Sequence, residues 1–265
     1  MPAKRRTVAD VLATKGRKQL TMLYVNDTWE AAASDAAGID MLSIIDPIWT
    51  SEMRAAAGSC FVQVGLLYGK LATAEDYLRA AFRAMEVGGD SFYCAASLDT
   101  ISRMAAEGIP VCGHVGLIPA RNTWTGGFRA VGKTAETAMQ VFRQVKELEN
   151  AGAFCAEIEV VPDRVAAEIS KRTSLFLVSM GAGTGCDAQY LFAQDVLGSH
   201  DGHYPRHAKV YRDFMAEYAR LQEERVAAFT EFRKDVDSGA YPERKHLVDI
   251  ADSEFESFLD RLEKA

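Results

Sequence analysis

Residues 153–162 read AFCAEIEVVP. The run is short and apolar, stops at Val161-Pro162, and carries two glutamates, Glu157 and Glu159, two positions apart. An apolar run of this length suits a strand covered on both faces. Side chains i and i+2 leave a strand from the same face. Both carboxylates therefore project one way from a mostly buried element, which is costly unless they are paired, protonated or in use. The run reads as a scaffold strand and as the working part of an active site.

Working outward, residues 134–151 form an amphipathic helix, with Ala138, Val141, Val145 and Leu148 at helical spacing. A helix at 164–171 and a strand at 175–180 follow. Upstream, apolar runs at 20–25, 39–45, 60–64, 91–95 and 110–115 read as strands. Between them, Asp27 and Thr73 cap helices at 28–37 and 74–87, and Gly108 stops a helix at 98–107. GAGTG at 181–185 precedes a short helix expected near 188–195. Strands that alternate with helices and read as continuous apolar runs form a parallel sheet covered on both faces. At least seven such units without a linker-like break point to an α/β fold, a (β/α)8 TIM-type barrel, whose usual length is about 250 residues.

After Pro205 the chain becomes polar. A long charged helix is expected at 210–236, a break at Ser238-Gly239-Ala240-Tyr241-Pro242, and an amphipathic helix at 253–264. The expectation is one domain over residues 1–265, with the barrel at about 17–203 and a helical C-terminal extension at about 204–265. The extension is too polar for a core of its own. It is expected to pack on the barrel or on a neighbouring subunit, which implies a homo-oligomer.

Composition narrows the function. The chain is 48% hydrophobic with a net charge of −7, so it can bury a large core and lacks the basic balance of a nucleic-acid binder. No apolar run reaches the roughly 20 residues of a membrane span. The N-terminal MPAKRRTVADVLATKG is basic without an apolar segment, unlike a secretory signal, and a cytoplasmic location is expected. None of the five cysteines forms a CxxC pair, which suits buried thiols in a reducing compartment.

In a barrel, function gathers at the C-terminal ends of the strands. Here those positions hold Asp27, Asp46, Gly65, Ala95, His114, Glu159 and the loop at Gly181. A partly desolvated Glu159 at a barrel mouth can act as a general base. Its bland alternative is a structural carboxylate. His114 is either a core histidine or a hydrogen-bonding partner for a substrate carboxylate or enolate oxygen, and Tyr93 can supply a second donor. Glu157 would sit one layer deeper and so needs a partner, in a buried ion pair, or takes part in substrate binding. Asp46 can meet a metal or the substrate. Arg121 can meet a carboxylate, with solvated charge as the default. GAGTG can cradle an anion or simply make a tight turn.

Several motifs in order resemble ketopantoate hydroxymethyltransferases, of the phosphoenolpyruvate/pyruvate barrel superfamily. They are IPVCGHVGLIP at 109–119, Gly126-Gly127 and Gly132, Glu159–Pro162, GAGTGCDAQ at 181–189, Asp195, Leu197-Gly198, Gly202-His203-Tyr204-Pro205, Ala208-Lys209, SGAYP and His246. The resemblance implies transfer of a hydroxymethyl group from methylenetetrahydrofolate, as co-substrate, to a branched 2-oxo acid. It also implies a Mg2+ ion that holds the oxo acid, Glu159 as base and a homo-oligomer. Asp46 matches the first metal ligand of the family. Gly65 and Ala95 stand where the other two acidic ligands fall, Tyr93 replaces a lysine, Gln194 replaces a histidine, and the loop after Asp46 is short. These departures leave open a metal-independent aldolase or lyase on the same scaffold, and a non-catalytic metabolite-binding homologue.

Overall fold

The structure, a computed structural model, describes residues 5–265. The first four residues of the N-terminal stretch read above lie outside it. The chain divides into two compact units, Met1–Arg212 and Asp213–Ala265.

The first unit is a closed barrel of eight parallel strands in chain order. Its elements are α1 (Val8–Leu12), β1 (Leu20–Tyr24), α2 (Thr28–Ala36), β2 (Met41–Ile45), α3 (Ser51–Ala56), β3 (Phe61–Gly65), α4 (Ala74–Glu86), β4 (Ser91–Tyr93), α5 (Leu98–Ala106), β5 (Val111–Gly116), α6 (Asn122–Thr125), α7 (Ala135–Asn150), β6 (Cys155–Glu159), α8 (Asp163–Ser170), β7 (Phe176–Met180), β8 (Ala188–Phe192) and α9 (Ala193–Leu197). Local chemistry sets the boundaries. The side chains of Asp27, Thr73 and Thr134 accept N–H bonds from the first turns of α2, α4 and α7. β3, β6 and β7 are buried along their whole length, as strands covered on both faces must be.

One expected helix is a strand. Residues 188–195 do not form a helix: Ala188–Phe192 is β8, and only Ala193–Leu197 is helical. Along β8, Ala188 and Tyr190 are buried while Gln189 and Leu191 are partly open, so the strand lacks the continuous apolar signature of its neighbours. Closure decides its conformation. β8 pairs with β1 from Leu20↔Ala188 to Tyr24↔Phe192 and with β7 at Val178↔Ala188.

Two apolar layers result. Outward-facing strand residues such as Val62, Val64, Ile158 and Leu177 pack under the helices. Inside the barrel, Leu20, Met22, Met41, Phe61, Cys112, Cys155 and Phe176 fill the lower layers. This plug is a floor. The inward side chains above it are polar or aromatic and face a cavity.

The second unit is α10 (Phe214–Ser238) and α11 (Asp252–Leu262), with a single 3-10 turn at Arg244–His246 between them. Asp213 caps α10 through the Ala216 N–H, and Gly239 ends it with φ of 73°. Neither helix buries a residue. No helix of the described residues is long and apolar enough to cross a membrane.

Candidate active site

The cavity above the floor has a volume of about 1130 Å³. Its walls come from the C-terminal ends of the strands and the loops after them. The register sets the polar layer, because His114 lies opposite Glu157, and Gly116 opposite Glu159. His114, Glu157 and Glu159 thus aim into the barrel together.

His114 is the centre of that layer and is buried. Its Nε2 lies 2.8 Å from the Leu117 carbonyl oxygen, and its Nδ1 lies 2.7 Å from the Tyr93 hydroxyl. A carbonyl oxygen can only accept, so Nε2 carries a hydrogen, while Nδ1 and the Tyr93 hydroxyl share the second hydrogen bond. Both ring nitrogens are thereby held. Burial, reinforced by Glu157, pushes the Tyr93 hydroxyl well above the usual tyrosine value, so Tyr93 stays a donor.

Glu159 lies 3.2 Å from His114 Nε2 through its Oε2. The Nε2 hydrogen is spent on Leu117, however, and Glu159 Oε2 is buried without a hydrogen-bond partner. The charge contact and the missing hydrogen bond are compatible: proximity is there, but the donor points elsewhere. The residue after this carboxylate is strained. Val160 has φ of +48°, a left-handed conformation that β-branched residues avoid. It is pinned by bonds from its N–H to the Met180 carbonyl and from the Val131 N–H to its own carbonyl. The strand end bearing Glu159 is thereby fixed on both sides.

Glu157 sits one layer deeper. Its Oε1 accepts from Gln63 Nε2 at 2.8 Å, and its Oε2 is 3.7 Å from His114 Nδ1. Burial raises its pKa from 4.5 to about 7, against the pull of His114 and the Gln63 amide, and with Glu159 adding to the rise. Tyr190, also lifted by burial, lines the cavity beside Ser43, and Phe192 stands between Tyr190 and Tyr24 as an aromatic wall.

The strand-end expectations divide. Glu159, His114, Tyr93 and Glu157 come together on the cavity wall. Asp46 opens the turn Asp46–Ile48 and does not line the cavity, although Ile45 does. Arg121 does not line it either. Its guanidinium donates to the Ala95 carbonyl and lies 5.1 Å over the Tyr68 ring. GAGTG is a tight turn: the Ala182 and Thr184 N–H groups bond Ser179 Oγ and Asp163 Oδ1, leaving no free cradle from those two.

Sequence reading missed the cationic rim. Arg129, Lys133 and Arg206 line the cavity, with His207 beside them. His207 packs on Gly181, where a Cβ would fall 2.7 Å from its Nδ1. Burial holds its pKa below the ordinary histidine value, against the opposing pull of Glu159 and Asp195. Asp195 accepts from His200 Nε2 at 2.8 Å, so an imidazole reaches it from a position other than the one before it. The available signal was the pair of loops holding these residues, which has no periodicity to place it.

Magnesium needs several oxygen donors converging on one point. Gly65 and Ala95 offer no side-chain donor. At Gly65 a Cβ would meet nothing nearer than Ile45 Cγ2 at 3.6 Å, so the donor is missing although there is room for it. Among the described residues, no three His, Cys, Asp or Glu side chains converge as a metal site. The donor set does not fit a family-type magnesium centre built from protein carboxylates.

Comparison with known proteins agrees with this fold and with this layout of motifs. The 3-methyl-2-oxobutanoate hydroxymethyltransferase of Nitratidesulfovibrio vulgaris (strain DP4) is 30% identical, over 97% of this chain and 90% of its own length. The enzyme of the same name from Pyrococcus abyssi (strain GE5 / Orsay) is 28% identical, over 94% of each chain. Among solved structures, the carboxyl transferase domain of Rhizobium etli pyruvate carboxylase superposes with a TM-score of 0.52 at 11% identity. The match covers 71% of this chain and 42% of that one, a likeness of fold alone. The profile of the ketopantoate hydroxymethyltransferases matches residues 48–244, and the chain belongs to that family.

Proposed function

We propose that this protein is a hydroxymethyltransferase-type enzyme that makes a carbon–carbon bond next to the carbonyl of a small 2-oxo acid through an enolate. The observation that carries the reading is Glu159 Oε2, a buried carboxylate oxygen at the cavity wall with no hydrogen-bond partner. A base needs a free oxygen within reach of the proton it takes. The fixed strand end supports this, because positioning is a large share of such catalysis.

Other features suit the substrate. The cationic rim of Arg129, Lys133 and Arg206 suits a carboxylate, and Arg in particular can bind one through two hydrogen bonds. The cavity, at about 1130 Å³, lies just above the usual range for small-molecule sites, about 300–1,000 Å³, which leaves space for a one-carbon donor beside the oxo acid. Family membership makes methylenetetrahydrofolate the donor of choice and 3-methyl-2-oxobutanoate the first acceptor to try. A magnesium ion would have to be held largely by substrate and water. The enzyme is proposed to act in the cytoplasm as a homo-oligomer.

In this reading Glu159 takes the C3 proton and the enolate forms. Water adds to the methylenetetrahydrofolate carbon and tetrahydrofolate leaves, giving a one-carbon unit at the oxidation level of formaldehyde; the enolate carbon attacks it, and its oxygen takes up a proton to become the hydroxymethyl group. A second reading, an aldol-type lyase that needs no metal, is favoured by Gly65 and Ala95 at the ligand positions. One assay addresses both. The protein is incubated with 3-methyl-2-oxobutanoate and methylenetetrahydrofolate, or with formaldehyde, and the hydroxymethyl product is followed by NMR. Product formation, lost by about 100-fold or more in Glu159→Gln, is the expected result. Folate-independent product, or cleavage of the hydroxymethyl product alone, would favour the lyase. Full activity in Glu159→Gln would overturn the assignment of the base.

A further inference from the structure

We infer that Glu157 is a second catalytic residue, a neutral carboxylic acid that donates its proton to the substrate carbonyl oxygen while Glu159 takes the proton from carbon. This inference rests on the enolisation reading above and adds the electrophilic half of the step.

The first argument is the company Glu157 keeps. The groups that face it from the elements packed around it are Gln63, Tyr93, Cys112, His114 and Tyr190, with Glu159 on its own strand. None is a lysine or arginine. His114 is the one potential cation, and its two nitrogens are committed to Leu117 and Tyr93. At 3.7 Å, His114 Nδ1 is too far to hydrogen-bond Glu157 Oε2. A carboxylate here would rest on one amide hydrogen bond, in a buried layer, with a second glutamate on the same face of the strand. An isolated buried charge is avoided by protonation. The rise of the Glu157 pKa to about 7 agrees with that geometry.

The second argument is what the barrel otherwise lacks. An enolate oxygen must be stabilised by a cation or by aimed donors. Gly65 and Ala95 contribute no metal-binding side chain. Glu157 lies on the cavity wall, on the same strand face as the base and next to the Tyr93–His114 pair. Two carboxyl groups in unlike surroundings divide acid and base roles between them.

The step balances within the site. The Glu159 carboxylate accepts the C3 proton, and the C–H electron pair becomes the C2=C3 π bond. The carbonyl π pair moves to oxygen, which takes the proton of Glu157. The product is the enol, with Glu159 protonated and Glu157 ionised. Reversal restores both groups and exchanges the C3 proton with solvent, with no further reactant.

The test measures loss of the C3 proton signal of 3-methyl-2-oxobutanoate in D2O, with chelator and with added magnesium, across pH. Wild-type exchange is expected to survive chelation and to fall as pH rises through about 7, where Glu157 loses its proton. Glu157→Leu is expected to lose exchange by about 100-fold. Glu157→Gln, which retains an N–H donor, should keep part of the rate without the fall near neutrality. An infrared difference spectrum supplies a reading independent of turnover: a protonated buried carboxyl band at pH 6, absent in Glu157→Gln. Strict dependence on magnesium, or a Glu157→Gln profile like the wild type, would overturn the role of Glu157 while leaving Glu159 as base. A missing infrared band would overturn it as well. No exchange by the wild type would overturn the enolisation reading and this role together.

Discussion

Gly116 holds the main chain of the candidate base in place. Its φ is +86°, and a Cβ there would fall 2.3 Å from the Glu159 carbonyl oxygen. That oxygen also accepts the Leu117 N–H at 2.9 Å. Gly116→Ala must therefore move backbone, and it must do so in a conformation that L-residues avoid. The expected loss is about 3 kcal/mol in urea unfolding, with a lower exchange rate because Glu159 shifts. Glu157 gives a second test at this scale, through pH. Its folded-state value of about 7 lies above the ordinary 4.5, so the folded chain holds the extra proton. Its contribution is fully present below about 4.5 and is lost as pH rises to about 7. Between those limits the stability balance should move by about 3 kcal/mol in favour of Glu157→Gln over the wild type. A flat difference between the two denaturation curves would show that Glu157 is already ionised when folded. These residues were legible beforehand because two carboxylates two apart in an apolar strand can only share a face. His207, Arg206 and Arg129 were not legible, since loops carry no period to aim them.

Elements explain where sequence reading succeeded and where it stopped. β3, β6 and β7 announced themselves as mostly apolar, fully buried runs, because helices cover them outside and the plug fills them inside. β8 did not: three of its five residues are partly exposed, and its strand state is imposed by pairing with β1. Long-range closure of this kind has no local signature. The β5–α7 contact shows how tightly the layers are set. At Gly113 a Cβ would come within 2.6 Å of Leu148 Cδ2, the end of a flexible side chain. Gly113→Ala is expected to cost about 1–3 kcal/mol, and Leu148→Ala about 2–5 kcal/mol. Because each change relieves the other, the double variant should be at least about 1 kcal/mol more stable than the sum of the two losses. Simple additivity in urea unfolding would mean that α7 shifts as a body to admit the methyl group.

For the whole molecule, the question is what covers the unit Asp213–Ala265. Neither α10 nor α11 buries a side chain, and large apolar residues stand open on both: Phe229 is 71% exposed and Phe258 is 50% exposed. Tyr218, Phe232, Phe255 and Leu262 add to the same open surface. A soluble monomer seldom leaves so many large apolar groups uncovered, and two helices alone cannot supply a core by themselves. A second copy of the chain is the simplest partner, because a homo-oligomer presents the same surface on every subunit and can cover it symmetrically. Light scattering on a sizing column should therefore give a multiple of the 29.0 kDa chain mass. Phe229→Glu combined with Phe258→Glu places charge on both helices, and it should move the peak toward the single-chain mass. Two alternative results are informative. A wild-type protein that runs as a single chain would remove the basis for a homo-oligomer. An unchanged multiple in the double variant would mean that the subunits meet through the barrel, and that α10 and α11 are covered in another way.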